Sequence, residues 1–333
     1  MRKSGDISML MVSSRIRLAR NLEKIPFKTS EPGAFLDIAK TLASGSPDMI
    51  ATQISDLSTE KAKALYEQHL ISRELLSNRK NGILVTQKDN SKVAIMLGEE
   101  DHVRIQVIEL GLNLKTAYEM AQKFSQQIAS KHKVAFNSEY GYLTSCPSNL
   151  GTGMRASVML FLPALTKTGQ INNLIRMLRG ERITVRGVYG EGSEALGYMY
   201  QISNQGCLGL SEQEIIEKVE EFAIKIATEE LELQNRLFAS DEDGTMDSIM
   251  RSLGVLSNAH LLPSSEAVEL LSWLKLGDCL GVLKFKPRAL DDLFFIIQPA
   301  TLTTKNEQAN DIRTRDKMRA KTIRDALHKN RMK

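Results

Sequence analysis

The chain has 333 residues, 42% of them hydrophobic, which is enough to bury a substantial core in one large domain and a smaller one. Charged residues make up 25% of the chain and the net charge is only +4, so bulk electrostatic binding to nucleic acid or membranes is not indicated. Three widely spaced cysteines, no signal-peptide-like start and no apolar run long enough to cross a bilayer argue against a disulfide framework and predict a soluble, cytoplasmic protein.

The first half of the chain alternates helical and strand-like patterns. Residues 59–77 place apolar side chains at near-helical spacing before an Asn-Gly stop signal, which predicts one helix. Three short segments rich in branched side chains follow, at residues 82–86, 93–97 and 103–108. Because polar residues 88–91 supply hairpin turn chemistry, adjacent antiparallel strands are predicted.

The second half of the chain passes from strands to helices. The spacing predicts a helix at residues 115–131 and strands at residues 134–144, 183–188 and 199–202. Ser211 and Glu214 form a predicted capping box that opens a long amphipathic helix. Strand signals fade after about residue 232, and a polar break at residues 241–244 precedes helices joined by Pro- or Gly-containing turns. We therefore expect one domain in residues 1–232 and a second in residues 233–333.

A pair of arginines near the start carries the first chemical signal. If residues 13–17 are extended, Arg15 and Arg17 project from one face, because side chains alternate along a strand. Two guanidinium groups on one face repel each other unless an anion lies between them, and phosphate oxygens match the planar donor fork of arginine. Taken alone, the segment also fits ordinary surface arginines.

An acidic turn, Glu99-Glu100-Asp101, ends an apolar strand and is followed by His102 and Arg104. A solvated turn is the simplest interpretation of such a charge run. A metal site is disfavoured, because consecutive residues point in divergent directions. A single functional carboxylate fits the pattern better.

A loop of small residues follows Cys146 and is predicted to lead into an apolar helix that begins near Arg155. Such loops can present backbone N–H groups to phosphate, and an arginine at the start of a helix would reinforce this. The alternative is a buried structural cysteine in an ordinary turn.

A glycine-rich segment at residues 190–195 superficially matches the GxGxxA pattern of dinucleotide-binding folds. That pattern requires a helix next, whereas strand character resumes at about residue 198. The segment is therefore interpreted as a flexible loop that positions Glu191 and Glu194.

Together and in this order, the four segments resemble the catalytic domain of the guanidino (phosphagen) kinase family, from Ser13 to about Leu210, with its hallmark loop matched by residues 146–152. Residues 153–159 and 189–197 are similar to the bacterial protein-arginine kinase branch. A C-terminal match to that branch's RDxxRA motif consists of Arg315, Asp316, Lys317, Met318, Arg319 and Ala320. The resemblance implies that this motif is an allosteric phosphoarginine pocket.

The resemblance also implies an ATP site, whose residues would be Ser13, Ser14, Arg15, Ile16, Arg17, His69, Arg104, Arg155, Ala156, Ser157, Val158, Met159, Arg186, Gly187, Val188, Tyr189 and Gly190. It further implies that Glu100 and Glu191 hold the substrate guanidinium, with the thiol of Cys146 beside them. Converging arginines, with Mg²⁺ on the nucleotide, would neutralise the charge of a transferring phosphoryl group. Because a guanidinium has a pKa above about 12, a carboxylate pair would align it and accept its proton.

The fold that follows is α+β: a mostly antiparallel sheet flanked by helices, then a helical C-terminal domain that the resemblance implies mediates dimerisation. No Walker A loop and no HRD/DFG set is present. Free-guanidine kinases carry a helical domain before the Ser13 segment, whereas twelve residues precede it here, which favours a polypeptide substrate. The resemblance also implies a zinc-containing McsA-type activator and a Clp protease that reads phosphoarginine as a degradation tag.

Two other functions stay open from the sequence. One is a kinase of free arginine or another small guanidine, which would use the same chemistry. The other is a catalytically idle protein that binds phosphoarginine or nucleic acid through Arg315, Arg319 and the basic C-terminal segment.

Overall fold

The computed structural model describes residues 6–27, 33, 35–45, 48–77, 79–80, 82–87, 92–187, 196–305 and 311–332. Its strands within these ranges are β1 (Met11–Arg20), β2 (Met49–Gln53), β3 (Ile83–Gln87), β4 (Val93–Leu97), β5 (Val103–Leu110), β6 (Phe136–Asn137), β7 (Gly141–Tyr142), β8 (Met154–Phe161), β9 (Ile183–Gly187) and β10 (Met199–Asn204). Eight of them form one antiparallel sheet in the order β2-β3-β4-β5-β1-β8-β10-β9, and β6 pairs with β7. The predicted α+β fold with a mostly antiparallel sheet is confirmed.

Helices pack against the sheet and account for most of the C-terminal part of the chain. They are α1 (Leu36–Gly45), α2 (Thr59–Glu67), α3 (Arg73–Ser77), α4 (Leu114–Ala129), α5 (Pro163–Lys167), α6 (Ile171–Gly180), α7 (Glu212–Ser240), α8 (Glu242–Asn258), α9 (Ser264–Cys279), α10 (Ala289–Ile296), α11 (Pro299–Lys305) and α12 (Ile312–Asn330). None of the helices in the described ranges combines the length and apolar character needed to cross a membrane.

The two faces of the sheet differ because side chains alternate along each strand. One face packs against α4 and α7 and buries Ile16, Leu18 and Val158 completely. The opposite face carries Arg15 and Arg17, so the predicted extended start of the chain is confirmed. We call this second surface the arginine face. A smaller apolar cluster, which includes residues of α3, β3 and β4, forms beside the main core.

The long helix predicted after Ser211 is confirmed together with its capping box. The Ser211 side chain accepts from the backbone N–H of Glu214, and the Glu214 carboxylate accepts from the backbone N–H of Ser211. This helix, α7, continues to Ser240, so the expected domain boundary at residues 232 and 233 falls inside it. The polar break lies one residue further on, where Asp241 caps α8 by accepting from the N–H of Gly244.

Three local predictions are wrong. The segment after the Cys146 loop is β8, not a helix, and it pairs with both β1 and β10. Its continuous apolar run fits a strand buried on both faces as well as it fits a buried helix, so periodicity alone could not distinguish a strand from a helix here.

The single helix predicted at residues 59–77 is broken into α2 and α3, because His69 takes a left-handed backbone conformation with φ of 59°. Residues 134–144 contain two short strands instead of one long one. The predicted turn at residues 88–91 lies outside the described residues.

Candidate active site

Five arginines converge on the arginine face because of strand register. Arg17 on β1 lies opposite Arg155 on β8, and Arg15 lies opposite Ser157. Arg104 on β5 lies opposite Ala19, which comes two residues after Arg17 and therefore lies on the same face of β1. Arg186 on β9 lies opposite Gln201 of β10. All five line one cavity of about 370 Å³.

This cavity concentrates positive charge away from water. Burial lowers the pKa of Arg15 to about 9, and the neighbouring Arg155 and Arg104 add to the effect. Burial also lowers the pKa of Arg17 well below its ordinary value, again reinforced by the other arginines. Because the guanidinium groups destabilise one another here, a polyanion bound between them would relieve the repulsion and gain planar, bidentate contacts.

His69 forms an uncharged wall of the same cavity. Its backbone carbonyl accepts a hydrogen bond of 2.6 Å from Nε2 of Gln106, which holds the left-handed turn in place. Burial, with a further contribution from Arg15, lowers the pKa of the ring to about 3. The imidazole is therefore neutral at physiological pH.

A second cavity of about 510 Å³ adjoins the first and shares Arg15, His69 and Gln201 with it. Its walls include five apolar side chains, Ile108, Leu110, Met159, Phe295 and Ile296. The shared residues make the two cavities one groove with a cationic end and a largely apolar end. That combination fits a nucleoside triphosphate, whose charge lies at one end and whose aromatic base lies at the other.

The three acids of the turn after β4 have different environments. Glu99 is completely buried and binds Nη1 of Arg104 at 2.6 Å, and burial raises its pKa. Asp101 is also buried and accepts from Nδ2 of Asn21 at 2.8 Å. Glu100 is 40% exposed and its Oε2 lies 3.3 Å from Nη2 of Arg104. Glu100 is therefore the carboxylate of this turn that is open to solvent, beside the cavity that Arg104 lines.

The Cys146 loop is tied to this acidic turn. Asp101 accepts from the backbone N–H of Ser145 at 2.7 Å and from the Asn149 amide at 3.4 Å. Cys146 is half-buried at the start of the loop, with its Sγ 3.1 Å from Oγ of Ser148. These bonds place Cys146 and Glu100 on neighbouring segments at the edge of the arginine face.

Part of the predicted nucleotide set faces the other way. Ser14, Ile16, Ala156 and Val158 are completely buried on the core face of the sheet, so their side chains cannot contact a ligand on the arginine face. Ser13, Ser157 and Met159 do line the apolar cavity. Gly187 ends β9. The predicted residues Val188, Tyr189, Gly190, Glu191 and Glu194 lie outside the described residues.

The structure adds residues that sequence reasoning missed. Gln106 holds His69, Ser203 accepts from Nη2 of Arg155 at 2.7 Å, and Gln201 donates to Oγ of Ser157 at 2.8 Å. A signal existed for these residues, since Gln106 lies between the apolar Ile105 and Val107, and Gln201 and Ser203 flank the apolar Ile202. Phe295 of α10 gave no such signal.

The RDxxRA-like residues lie on α12 and line neither cavity. Arg319 is buried and donates to the carbonyls of Ile297 at 3.0 Å and Leu262 at 2.8 Å. Its Nη1 also binds Asp316 at 2.6 Å. Arg315, Asp316 and Met318 are half-buried, Lys317 is exposed and Ala320 is buried. Among the described residues, no group of three or more His, Cys, Asp or Glu side chains is placed to hold a metal ion.

Comparisons with known proteins agree with this geometry. Residues 34–233 match the family model of the ATP:guanido phosphotransferase C-terminal catalytic domain, and residues 242–333 match that of the protein-arginine kinase McsB C-terminal domain. A protein-arginine kinase of Caldanaerobacter subterraneus subsp. tengcongensis is 41% identical over 329 residues, covering 96% of this chain and 97% of the relative. The protein-arginine kinase of Bacillus subtilis is 38% identical, covering 98% of this chain and 93% of the relative.

Solved structures with a similar fold include other guanidino kinases. Lombricine kinase aligns with a TM-score of 0.59 and 25% identity, over 70% of this chain and 69% of that one. The duplicated taurocyamine kinase from Schistosoma mansoni, solved with bound components of a transition-state analogue, aligns with a TM-score of 0.58 and 26% identity, over 68% of this chain and 33% of that one.

Proposed function

The chain belongs to the protein-arginine kinases of the ATP:guanido phosphotransferase family, and on that premise we propose which of its residues carry out the reaction. The enzyme uses ATP to phosphorylate arginine side chains of proteins. The observation that supports a specific site is the groove in which five clustered, half-buried arginines adjoin an apolar cavity. A nucleoside triphosphate matches both halves of that groove.

In the proposed complex, the triphosphate lies on Arg15, Arg17, Arg104, Arg155 and Arg186. Mg²⁺ arrives on the nucleotide and, when bound, helps to neutralise the phosphate charge. The nucleoside lies in the apolar cavity beside His69, whose neutral ring adds no charge to that end. The arginines are held apart by their strands, so little reorganisation is needed when charge moves during transfer.

Glu100 is the proposed general base, assisted by Glu191. The substrate guanidinium lies against Glu100 at the exposed edge of the arginine face, with one nitrogen directed at the γ-phosphorus. A nitrogen–phosphorus bond forms, the bond from the γ-phosphorus to the bridging oxygen breaks, and ADP leaves. The proton displaced from the guanidinium passes to the Glu100 carboxylate, because a protonated guanidinium is a poor nucleophile. Glu99 orients Arg104, and Cys146 flanks the guanidinium.

The test is phosphoarginine formation on an arginine-rich protein incubated with the enzyme, ATP and Mg²⁺, detected by mass spectrometry under conditions that preserve acid-labile N–P bonds. The substitution Glu100→Gln keeps the shape of the side chain but removes its basicity, and we expect activity to fall at least ~100-fold. Glu232→Gln, on an exposed position of α7, is the matched control and retains activity. Full activity in Glu100→Gln would contradict the assigned role. Phosphorylation of free arginine in preference to protein would instead indicate a metabolite kinase.

We further propose that the modified proteins pass to a Clp-type protease and that a McsA-type protein activates the enzyme. The C-terminal helices would form a homodimer, and residues 315–320 would bind phosphoarginine as an allosteric ligand. The match of residues 242–333 to the protein-arginine kinase C-terminal domain supports these assignments. Three free cysteines support a reducing, cytoplasmic setting. Binding of a phosphoarginine peptide to the wild type but not to Arg315→Ala tests the allosteric site.

A further inference from the structure

Two adjacent residues of α10, Phe294 and Phe295, pack against the N-terminal part of the chain. The ring of Phe295 packs edge-on against the ring of His69, with centroids 5.6 Å apart. Phe294 packs against Gly197, where an added Cβ would lie 2.6 Å from its ring. Gly197 has a φ of 60°. One turn of a C-terminal helix therefore supports the His69 side of the groove and packs against Gly197.

The position of α10 is fixed at both ends. Near its start, Asp291 forms a buried ion pair with Lys275, which also donates to the carbonyl of Met9 at 3.1 Å. Arg288, just before the helix, donates to the carbonyl of Val12 at 3.0 Å. Just past its end, the carbonyl of Ile297 accepts from Nε of Arg319 on α12. The helix thus cannot shift without breaking buried polar contacts, which are costly to lose.

A third contact holds the His69 turn from the other side. The carboxylate of Glu67, two residues before His69, accepts from the backbone N–H groups of Ala300 at 2.9 Å and Thr301 at 2.7 Å. It also accepts from the hydroxyl of Thr301 at 2.9 Å. Glu67 therefore caps α11 and joins the end of α2 to the helix that follows α10.

We propose that Glu67 and Phe295 are positioning residues through which the C-terminal helices complete the active site. They hold His69 against the nucleoside end of the groove. This inference rests on the proposed nucleotide site. It makes residues 242–333 part of the kinase site, in addition to any role in regulation or assembly.

The substitutions Phe295→Leu and Glu67→Gln separate positioning from mere stability. We expect Glu67→Gln to weaken ATP binding ~5- to 10-fold by calorimetry, because His69 is no longer fixed, while affinity for inorganic triphosphate changes less than ~2-fold. Phe295→Leu should weaken ATP binding at least as much, because its ring also lines the apolar cavity. Phe294→Leu, which removes a ring that packs against Gly197, should leave ATP affinity unchanged.

The chain offers matched controls. Glu230 is a buried glutamate that caps α5 through the N–H groups of Ala164 and Leu165, at 2.7 and 2.9 Å, in the same way that Glu67 caps α11. Glu230→Gln and Phe285→Leu should lower thermal stability as much as the test variants without changing ATP affinity or kcat. If the test variants lose only stability, as the controls do, the positioning role is refuted. If Arg155→Gln leaves triphosphate binding intact, the proposed nucleotide site itself is wrong, which is a separate outcome.

Discussion

Arginines lie on both faces of β1, buried on one face and half-buried on the other, and they differ in how their charge is compensated. Arg20 is 1% exposed on the core face. Its guanidinium donates to Ser125 at 3.1 Å and to the carbonyl of Thr152 at 3.1 Å, and lies 3.5 Å from the ring centroid of Tyr142. Burial lowers the pKa of Arg20, while Tyr142 and Glu212 act to raise it. The protein itself supplies the partners of this arginine.

Arg15 and Arg17 lie on the same strand, β1, yet have the opposite surroundings. Burial and the neighbouring arginines lower the pKa of both Arg15 and Arg17, and Glu99 acts to raise that of Arg17. Burial of an arginine therefore does not reveal its role, whereas the charge of the neighbouring groups does. A buried cation with partners holds the fold together, whereas a cluster of buried cations that repel one another is suited to an anionic ligand.

The largest effect that tests this difference between the two faces of the sheet is expected on substitution of Arg155. We expect Arg155→Gln to weaken ATP binding ~100-fold, because a charge-assisted phosphate contact inside the groove is lost. The stability of the ligand-free protein should change by less than ~1 kcal/mol, because the loss of the hydrogen bonds to Ser203 offsets the removal of one repelling charge. Calorimetric titration with ATP and urea unfolding of the free protein measure the two quantities. Normal ATP affinity together with lost stability would place Arg155 in the same class as Arg20.

The opposite outcome is expected at Arg20. We expect Arg20→Gln to lower the free energy of unfolding by ~3 kcal/mol, because Ser125 and the Thr152 carbonyl lose a buried partner. ATP affinity should change less than ~3-fold, since this side chain lies on the core face. Urea unfolding measures the free energy of unfolding, and calorimetric titration with ATP measures the affinity. A large loss of ATP affinity without a loss of stability would break the distinction between the two faces.

The arginine face could be predicted from the sequence because it depends on a local rule. Alternation along residues 13–17 was enough to place Arg15 and Arg17 on one side, and the order of the four motifs indicated the chemistry. The turn at His69 could not be predicted, since its left-handed backbone depends on Gln106 and Glu67, whose partners are distant in sequence. The strand after the Cys146 loop was missed for a similar reason: only its pairing with β1 and β10 decides between strand and helix.

The support from α10 was also beyond the reach of sequence patterns. Phe294 and Phe295 sit in an apolar run that predicts an ordinary core helix. Their contacts with Gly197 and His69 arise only when the C-terminal helices dock beside the sheet. Residues that support a site from a neighbouring helix leave no pattern in their own stretch of sequence, so the structure was needed to find them.

The smallest expected effect extends the comparison to His69, whose protonation would add another cation beside Arg15. Burial lowers the pKa of this ring to about 3 in the folded protein, against about 6.5 in an unfolded chain. The unfolded chain therefore takes up a proton first, so the stability contributed by the neutral ring is fully present above pH 6.5 and declines as the pH falls towards 3. Between pH 7 and 5.5 we expect the wild type to lose ~1 kcal/mol more than His69→Gln, measured by urea unfolding at both values. His260→Gln, at an exposed position, should keep the wild-type slope. Equal slopes in the wild type and His69→Gln would mean that folding does not shift the pKa of His69. The ring would then take up a proton in the folded protein as readily as in the unfolded chain, and the groove would tolerate a cation where a neutral wall is proposed.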